Sequence, residues 1–134
     1  MKEIIKWYGS IDPSDPTNLP ELIRQRAKLA QLSYDMALKV MNYTREYFNC
    51  NTERKISVKQ LTVLNLSDGI GKAEAIAESE SADKRLKEAE AEGNYRGCRE
   101  VLHQVNIILQ SMIQDISYLR KEYEQTNADN HANS

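Results

Sequence analysis

The sequence contains few of the residues that build metal centres and redox sites. Among its 134 residues are two cysteines, Cys50 and Cys98, and two histidines, His103 and His131. The cysteines do not form a CxxC pair, and neither histidine has a second His or Cys three or four residues further on. Metal sites in proteins are built from such clusters of ligands. We therefore expect free thiols, no metal and no cofactor.

Long apolar runs are absent as well. Residues 1–11 lack the roughly 7–15 consecutive apolar residues of a secretory signal, and no window reaches the roughly 18 needed to span a bilayer. Charge is nearly balanced, with 18 basic and 20 acidic residues, and 40% of the residues are hydrophobic. This composition is too apolar for complete disorder and too charged for a membrane protein. We expect a small cytoplasmic protein with no membrane partner.

Proline occurs three times, and two of the three lie in one short segment. In residues 10–18, Pro13 and Pro16 are surrounded by Asp and Ser, so neither a helix nor a central strand is expected to pass through. An apolar patch that includes Trp7 and Tyr8 precedes this segment. The patch either covers one end of its own helical bundle or packs on a neighbouring subunit. We assign residues 1–18 to an N-terminal arm and linker.

The first long helix is expected over residues 19–49. Asn18 and Glu21 have the spacing of a capping box, and Pro20 fits the first turn because the first N–H groups have no intrahelical partner. Apolar residues then recur with heptad spacing along one side. This stripe includes Leu22, Leu29, Met36, Val40, Met41, Tyr43, Tyr47 and Phe48.

A second long helix is expected over residues 95–124, where four heptads of apolar residues follow one another. At ~1.5 Å per residue each long helix approaches about 45 Å, which exceeds the dimensions of a compact domain of this length. We therefore predict an elongated, coiled-coil-like hairpin that self-associates into a homo-oligomer. Its core or oligomer contacts are expected at Leu29, Met36, Val40, Leu102, Val105, Leu109, Met112, Ile116 and Leu119.

Weaker patterns lie between the two long helices. Residues 57–66 fit either a short helix or a short strand, and residues 70–92 fit a shorter polar helix rich in Ala, Glu and Lys. Gly93 and Gly97 mark its junction with the second long helix, as a kink or as a hairpin. The predicted fold class is all-α, with a single helical domain over residues 19–125 and a flexible polar tail over residues 126–134.

Candidate catalytic patterns fail on detail. Gly69, Gly71 and Lys72 resemble part of a phosphate-binding loop, but the glycines are too close together and no Ser or Thr follows the lysine. Cys98 and His103 are five residues apart, which places them ~140° apart around a helix. The acidic residues between positions 74 and 92 are spread around the helix, as on a solvated face. We expect no catalytic residues and no enzymatic activity.

Charge is divided unevenly along the chain. Residues 20–66 hold eight basic and four acidic residues, whereas residues 67–94 hold four basic and eight acidic ones. Such asymmetry is typical of helices or subunits that pair through these faces. Alternatively, the basic part forms a path for a nucleic-acid backbone, with aromatic side chains that stack on bases. The candidate nucleic-acid-binding residues are Tyr43, Tyr47, Phe48, Arg54, Lys55 and Lys59.

Four short motifs lie in the second half of the chain: SDGIGKAEA at 67–75, YRG at 95–97, the segment 105–112 and QDISYLRKE at 114–122. Through them, residues 55–122 resemble small helical proteins that phages and prophages encode among replication and recombination genes. In length and helix order the chain is also similar to the UvsY-type recombination mediators of T-even-like phages. Those proteins form rings and help to load a recombinase on single-stranded DNA.

The resemblance implies a non-enzymatic accessory protein of DNA recombination or replication in the host-cell cytoplasm. Its partners would be single-stranded DNA, bound weakly, or a recombinase, and the region around Arg54 to Lys59 would carry the DNA contact. The alternative is a helical oligomeric interaction protein without nucleic-acid contact. A virion scaffold, or an inhibitor that sequesters a host protein or a signalling molecule, belongs to this second class.

Overall fold

A computed structural model describes residues 1–132, and helices account for nearly all of this range. Four α-helices follow one another: α1 (Lys2–Ser10), α2 (Leu19–Leu64), α3 (Ile70–Glu80) and α4 (Ala82–Ala132). Short 3-10 turns, Pro16–Asn18 and Leu66–Asp68, precede α2 and α3. Residues 1–132 contain no β-strand, so the predicted all-α class is confirmed.

Both long helices extend beyond their expected bounds. α2 continues past Asn49 to Leu64, so residues 57–64 belong to it rather than to a separate short helix or strand. α4 begins at Ala82 and passes through Gly93 and Gly97 without a break. An interior glycine costs a helix only about 1 kcal/mol relative to alanine, which the packing of the flanking heptads outweighs. Of the expected flexible tail, residues 126–132 continue the same helix, and residues 133–134 lie outside the described residues.

The linker between α1 and α2 is an ordered turn. The carboxylate of Asp12 accepts hydrogen bonds from the Ser14 N–H at 3.0 Å and from its hydroxyl at 2.7 Å. Asp15 accepts in the same way from the N–H and hydroxyl of Thr17. The side chain of Asn18 donates to the Asp12 carbonyl at 2.9 Å, which closes the turn. The two aspartates therefore fix the segment that sequence reasoning assigned to a linker.

The expected capping box at the start of α2 does not form, because Asn18 is used in the linker turn. Glu21 instead accepts hydrogen bonds from Arg24 and Gln25 one turn further on. These donors, Arg24 first, lower the pKa of Glu21 to about 2. The first turn of α2 is thus held by side chains within the helix rather than by its N-cap.

The described chain divides into two compact units. Unit 1 contains Met1–Met36 and the chain from Val101 onward, and unit 2 contains Ala37–Glu100. α2 and α4 contribute to both units. The domain boundaries predicted near residues 18 and 125 both fall inside unit 1, because the arm and the last turns of α4 belong to it.

The core of unit 1 is made of large apolar side chains from three helices. Ile4 comes from α1, and Trp7 and Tyr8 of the same helix pack against the core. The arm therefore covers the core of its own chain. The buried residues from α2 and α4 are Leu22, Leu29, Val105, Met112, Ile116 and Leu119.

The core of unit 2 is made of small side chains. Ala73 and Ala77 of α3 and Ala91 of α4 are buried, together with Ser81 between the two helices. The hydroxyl of Ser81 has no hydrogen-bond partner in the described part of the chain. Among the predicted core residues, Val40 of unit 2 is half-buried rather than buried, and so are Met36, Leu102 and Leu109 of unit 1. Unit 2 thus depends more on polar and aromatic contacts than unit 1 does.

Candidate interaction surface on α2

The six candidate nucleic-acid-binding residues divide between two sides of α2. Arg54, Tyr43 and Tyr47 are half-buried on the side that faces α4 within unit 2. Phe48, Lys55 and Lys59 are exposed. With ~100° of rotation per residue, these last three fall within about 40° of one another on the far side of the helix. The structure therefore brings together half of the predicted set.

Arg54 is engaged in an ion pair inside unit 2. Its Nε donates to the carboxylate of Glu88 on α4, and Asn51 Nδ2 donates to the same carboxylate at 3.1 Å. The side chains of Arg54 and Glu88 are 20% and 14% exposed. The hydrogen bond from Arg54 lowers the pKa of Glu88 and raises that of Arg54 itself. This arginine therefore links α2 to α4 within unit 2.

Tyr47 is likewise part of the helix pairing in unit 2. Its ring lies parallel to that of Tyr95 on α4, with centroids 5.8 Å apart and planes 9° from parallel. The guanidinium of Arg99 lies 5.0 Å from the centre of the Tyr95 ring, and its Nη1 donates to the Tyr95 hydroxyl at 2.7 Å. Such contacts stabilise the pair of helices where large aliphatic side chains are missing.

The far side of α2 carries a second apolar stripe, which we call the α2 outer face. It consists of large apolar side chains that are 44–66% exposed and recur at intervals of three, seven or eight residues. At ~100° per residue all of them fall within about 80° of arc, roughly opposite Tyr47 and Arg54. Its members within unit 2 are Leu38, Met41, Phe48, Ile56 and Val63.

Three cations lie among these apolar residues. Arg45, Lys55 and Lys59 are exposed on the α2 outer face, and none forms an ion pair within residues 1–132. Glu46 and Glu53 lie about 100° and 80° from Arg45 around the helix axis, and both border the same groove as Arg45. Within its own arc the face therefore combines exposed apolar surface with positive charge, and Glu46 and Glu53 lie beside that arc.

One groove of unit 2 is bordered by a possible nucleophile. It encloses about 470 Å³ and is bordered by the free, half-buried Cys50. Its charged lining residues are Arg45, Glu46, Glu53, Lys87 and Glu90, and no histidine lines it. In residues 1–132 no group of three His, Cys, Asp or Glu side chains is arranged to hold a metal ion. No helix in the same range is both long and apolar enough to cross a bilayer.

The sequence already contained the signal for the α2 outer face. Positions 38, 41, 45, 48, 52, 56, 59 and 63 follow a spacing of three and four residues, and five of them are large and apolar. Met41 and Phe48 were assigned instead to the stripe that forms the core, but the structure exposes both. The heptad pattern therefore predicts the helix correctly. The single wide stripe that it indicates is two separate stripes in the structure, one buried or half-buried and one exposed.

In comparisons with known proteins, no family model, curated protein or solved structure matches the chain.

Proposed function

We propose that this chain is a non-enzymatic helical interaction protein that forms homo-oligomers through the α2 outer face. The observation that carries the proposal is the row of exposed side chains Leu38, Met41, Phe48, Ile56 and Val63. A helix needs one apolar stripe to pack within its own chain, and in α2 that stripe lies on the side that faces α4. A second stripe at heptad spacing is typical of a helix that packs against a partner helix.

The pairing of α2 with α4 as a coiled-coil-like hairpin belongs to the same proposal. It is supported within unit 1 by the shared core of Leu29 and Met112, and within unit 2 by the Tyr47–Tyr95 stack. A hairpin of this kind presents the outer side of each helix to other molecules. Association through α2 would then cover apolar surface that the single chain leaves in water.

Sedimentation equilibrium tests the proposal at tens of micromolar protein. We expect the wild-type chain to exceed the monomer mass of 15.4 kDa. The double variant Phe48→Ser, Ile56→Ser should sediment as a folded monomer, because it removes apolar area from the α2 outer face without touching the buried core. Tyr123→Ser serves as the matched control, since Tyr123 is equally exposed on α4 in unit 1. A monomeric wild type, or dissociation by the control alone, would contradict the proposal.

A second candidate function follows from the aromatic and basic residues on the same face. Phe48 is exposed alongside Arg45, Lys55 and Lys59, which is the combination that holds single-stranded nucleic acid by stacking and backbone contacts. Under this proposal the protein assists DNA recombination or replication by binding single-stranded DNA or a recombinase in the cytoplasm. Arg45 then takes the place of Arg54, which is paired with Glu88.

Fluorescence anisotropy with a labelled oligonucleotide separates the two functions. Backbone binding weakens as salt rises, with a slope near −0.7 per neutralised phosphate of a single strand. The variant Lys55→Ala, Lys59→Ala should reduce both the affinity and this slope. The control Lys121→Ala changes an exposed lysine of α4 in unit 1 and should leave them unchanged. No binding at low salt would exclude the DNA function and leave protein association in place.

A further inference from the structure

Unit 2 exposes a second helix face whose chemistry is opposite to that of the α2 outer face. We call it the α4 outer face, and all of its residues are exposed. Its centre lies on the side of α4 opposite Glu88 and Tyr95, which contact α2, and at its edge Glu90 borders the groove that α4 shares with Arg45 of α2. The α4 outer face consists of Asp83, Leu86, Ala89, Glu90, Gly93 and Gly97.

The two outer faces are complementary in charge. Asp83 and Glu90 form no ion pair within residues 1–132, and no Lys or Arg lies within about 60° of Leu86 around this part of the helix. The α2 outer face carries Arg45, Lys55 and Lys59 without an acidic residue in the same arc. Contact between the faces would therefore place opposite charges beside apolar surface.

The two faces are also complementary in shape. The α2 outer face projects large side chains, whereas the α4 outer face is low because Ala89, Gly93 and Gly97 contribute little or no side chain. A Cβ atom added at Gly93 or Gly97 would meet nothing within 4 Å inside the chain, so internal packing does not require these glycines. Their absence of side chains leaves room for the projecting Phe48 and Ile56 of another helix.

From the exposed apolar residues of the α2 outer face and this complementarity, we infer that the α2 outer face binds the α4 outer face of a second copy of the chain. The inference rests on the proposed self-association and names the two surfaces that meet. Pairing of two α2 outer faces is disfavoured, because antiparallel contact around Thr52 would bring Arg45 of one copy near Lys59 of the other. Like charges placed together cost free energy and disfavour such a contact.

An interface between two different faces is compatible with more than one size of assembly. Each copy offers one α2 outer face and one α4 outer face, and it can present them to one neighbour or to two. With one neighbour the contact is reciprocal and closes as a twofold dimer, whereas with two neighbours it is head-to-tail and closes into a ring or continues as a filament. In either assembly every α2 outer face meets an α4 outer face, so the pairing can be tested whatever the number of subunits.

Charge reversal tests the pairing of the two faces. The first variant, Lys55→Glu with Lys59→Glu, makes the α2 outer face acidic, and the second, Asp83→Lys with Glu90→Lys, makes the α4 outer face basic. Each variant alone should associate at least about tenfold more weakly than wild type, because each now meets its own sign of charge. An equimolar mixture should regain wild-type assembly, since both kinds of contact between the two variants are again complementary.

A neutral change provides the steric counterpart. Gly93→Leu adds a side chain where the structure has open space, so helix content and thermal unfolding should be retained while assembly is weakened. The exposed position Gln110, on α4 in unit 1, supplies the matched control Gln110→Leu, which should leave assembly intact.

The outcomes separate this inference from the proposed function. A monomeric wild type overturns both. A wild-type oligomer that Phe48→Ser, Ile56→Ser dissociates, but that neither charge variant weakens and Gly93→Leu leaves intact, overturns the inference alone. Full assembly of the second charge variant by itself would show that α2 meets another surface.

Discussion

Arg54 on α2 and Glu88 on α4 form an ion pair in which Arg54 Nε donates to the Glu88 carboxylate. Both side chains are largely removed from water, so loss of Arg54 leaves a carboxylate with a single remaining donor, Asn51. We predict that Arg54→Ala lowers the free energy of unfolding by about 1–3 kcal/mol, measured by urea denaturation. Lys55→Ala, at the exposed neighbouring position, should change it by less than about 0.5 kcal/mol. Equal losses would contradict the assignment.

The same pair predicts a dependence of stability on pH. The hydrogen bond from Arg54 lowers the pKa of Glu88 in the folded chain relative to the unfolded value of about 4.3. Its contribution is therefore complete above the unfolded pKa and is lost as pH falls through the folded pKa. Glu88→Gln should be less stable than wild type at neutral pH, and the difference should shrink in acid. Urea midpoints between about pH 3 and 7 measure this, and a pH-independent difference would argue against the pair.

A prediction for alkaline pH follows from Tyr8 in α1, whose hydroxyl donates to the carboxylate of Asp115 on α4. Burial first, and then the hydrogen bond and negative charge of Asp115, raise the pKa of Tyr8 to about 12. The contribution of this contact is present below the unfolded pKa of about 10 and is lost as pH rises through about 12. Tyr8→Phe should cost about 1 kcal/mol at neutral pH. In an ultraviolet absorbance titration, this variant should lack the tyrosine ionisation that wild type shows at the alkaline end. An unchanged titration curve would contradict the contact.

Two methionines offer a direct comparison of core and surface. Met112 is fully buried in unit 1, whereas Met41 is 61% exposed on the α2 outer face. Met112→Ala should lower the free energy of unfolding by about 2–5 kcal/mol because it leaves a cavity. Met41→Ala should change the stability of the monomer by less than about 0.5 kcal/mol. Measured in dilute solution by denaturant titration, similar losses would mean that Met41 is covered.

Substitution of Ser81 is expected to raise the free energy of unfolding, unlike the substitutions described above. It is buried between α3 and α4, and its hydroxyl has no partner in the part of the chain that the structure describes. A buried polar group without a hydrogen bond costs about 1–3 kcal/mol. Ser81→Ala should therefore raise the free energy of unfolding, by about 1 kcal/mol. A loss of stability would show that the hydroxyl is paired in solution.

Heptad spacing was sufficient to predict the helices and most of the unit 1 core. Val105, Met112 and Leu119 recur every seven residues in a chain with few prolines, and all three are buried. The ends of the helices were harder to predict. Asn49 and Gly93 reduce helix propensity locally, but contacts between α2 and α4 on both sides of them outweigh the small local cost.

The candidate site was predicted only in part, for a physical reason. Arg54, Lys55 and Lys59 are close in sequence, yet successive residues of a helix point ~100° apart, so a cluster of charges is divided between faces. Which face is covered depends on the partner helix. The sequence indicates that Arg54 has many possible acidic partners, and only the tertiary structure selects Glu88.

The two opposite stripes of α2 restrict how the length of this protein can change. One inserted residue would rotate everything beyond it by about 100° and would turn both stripes away from their partners. Seven residues rotate the helix by about 700°, which is within about 20° of two full turns. Matched insertions of seven residues beside Tyr47 and Tyr95 would therefore preserve both faces, as would insertions of eleven, so this fold can lengthen only in steps close to whole numbers of helical turns.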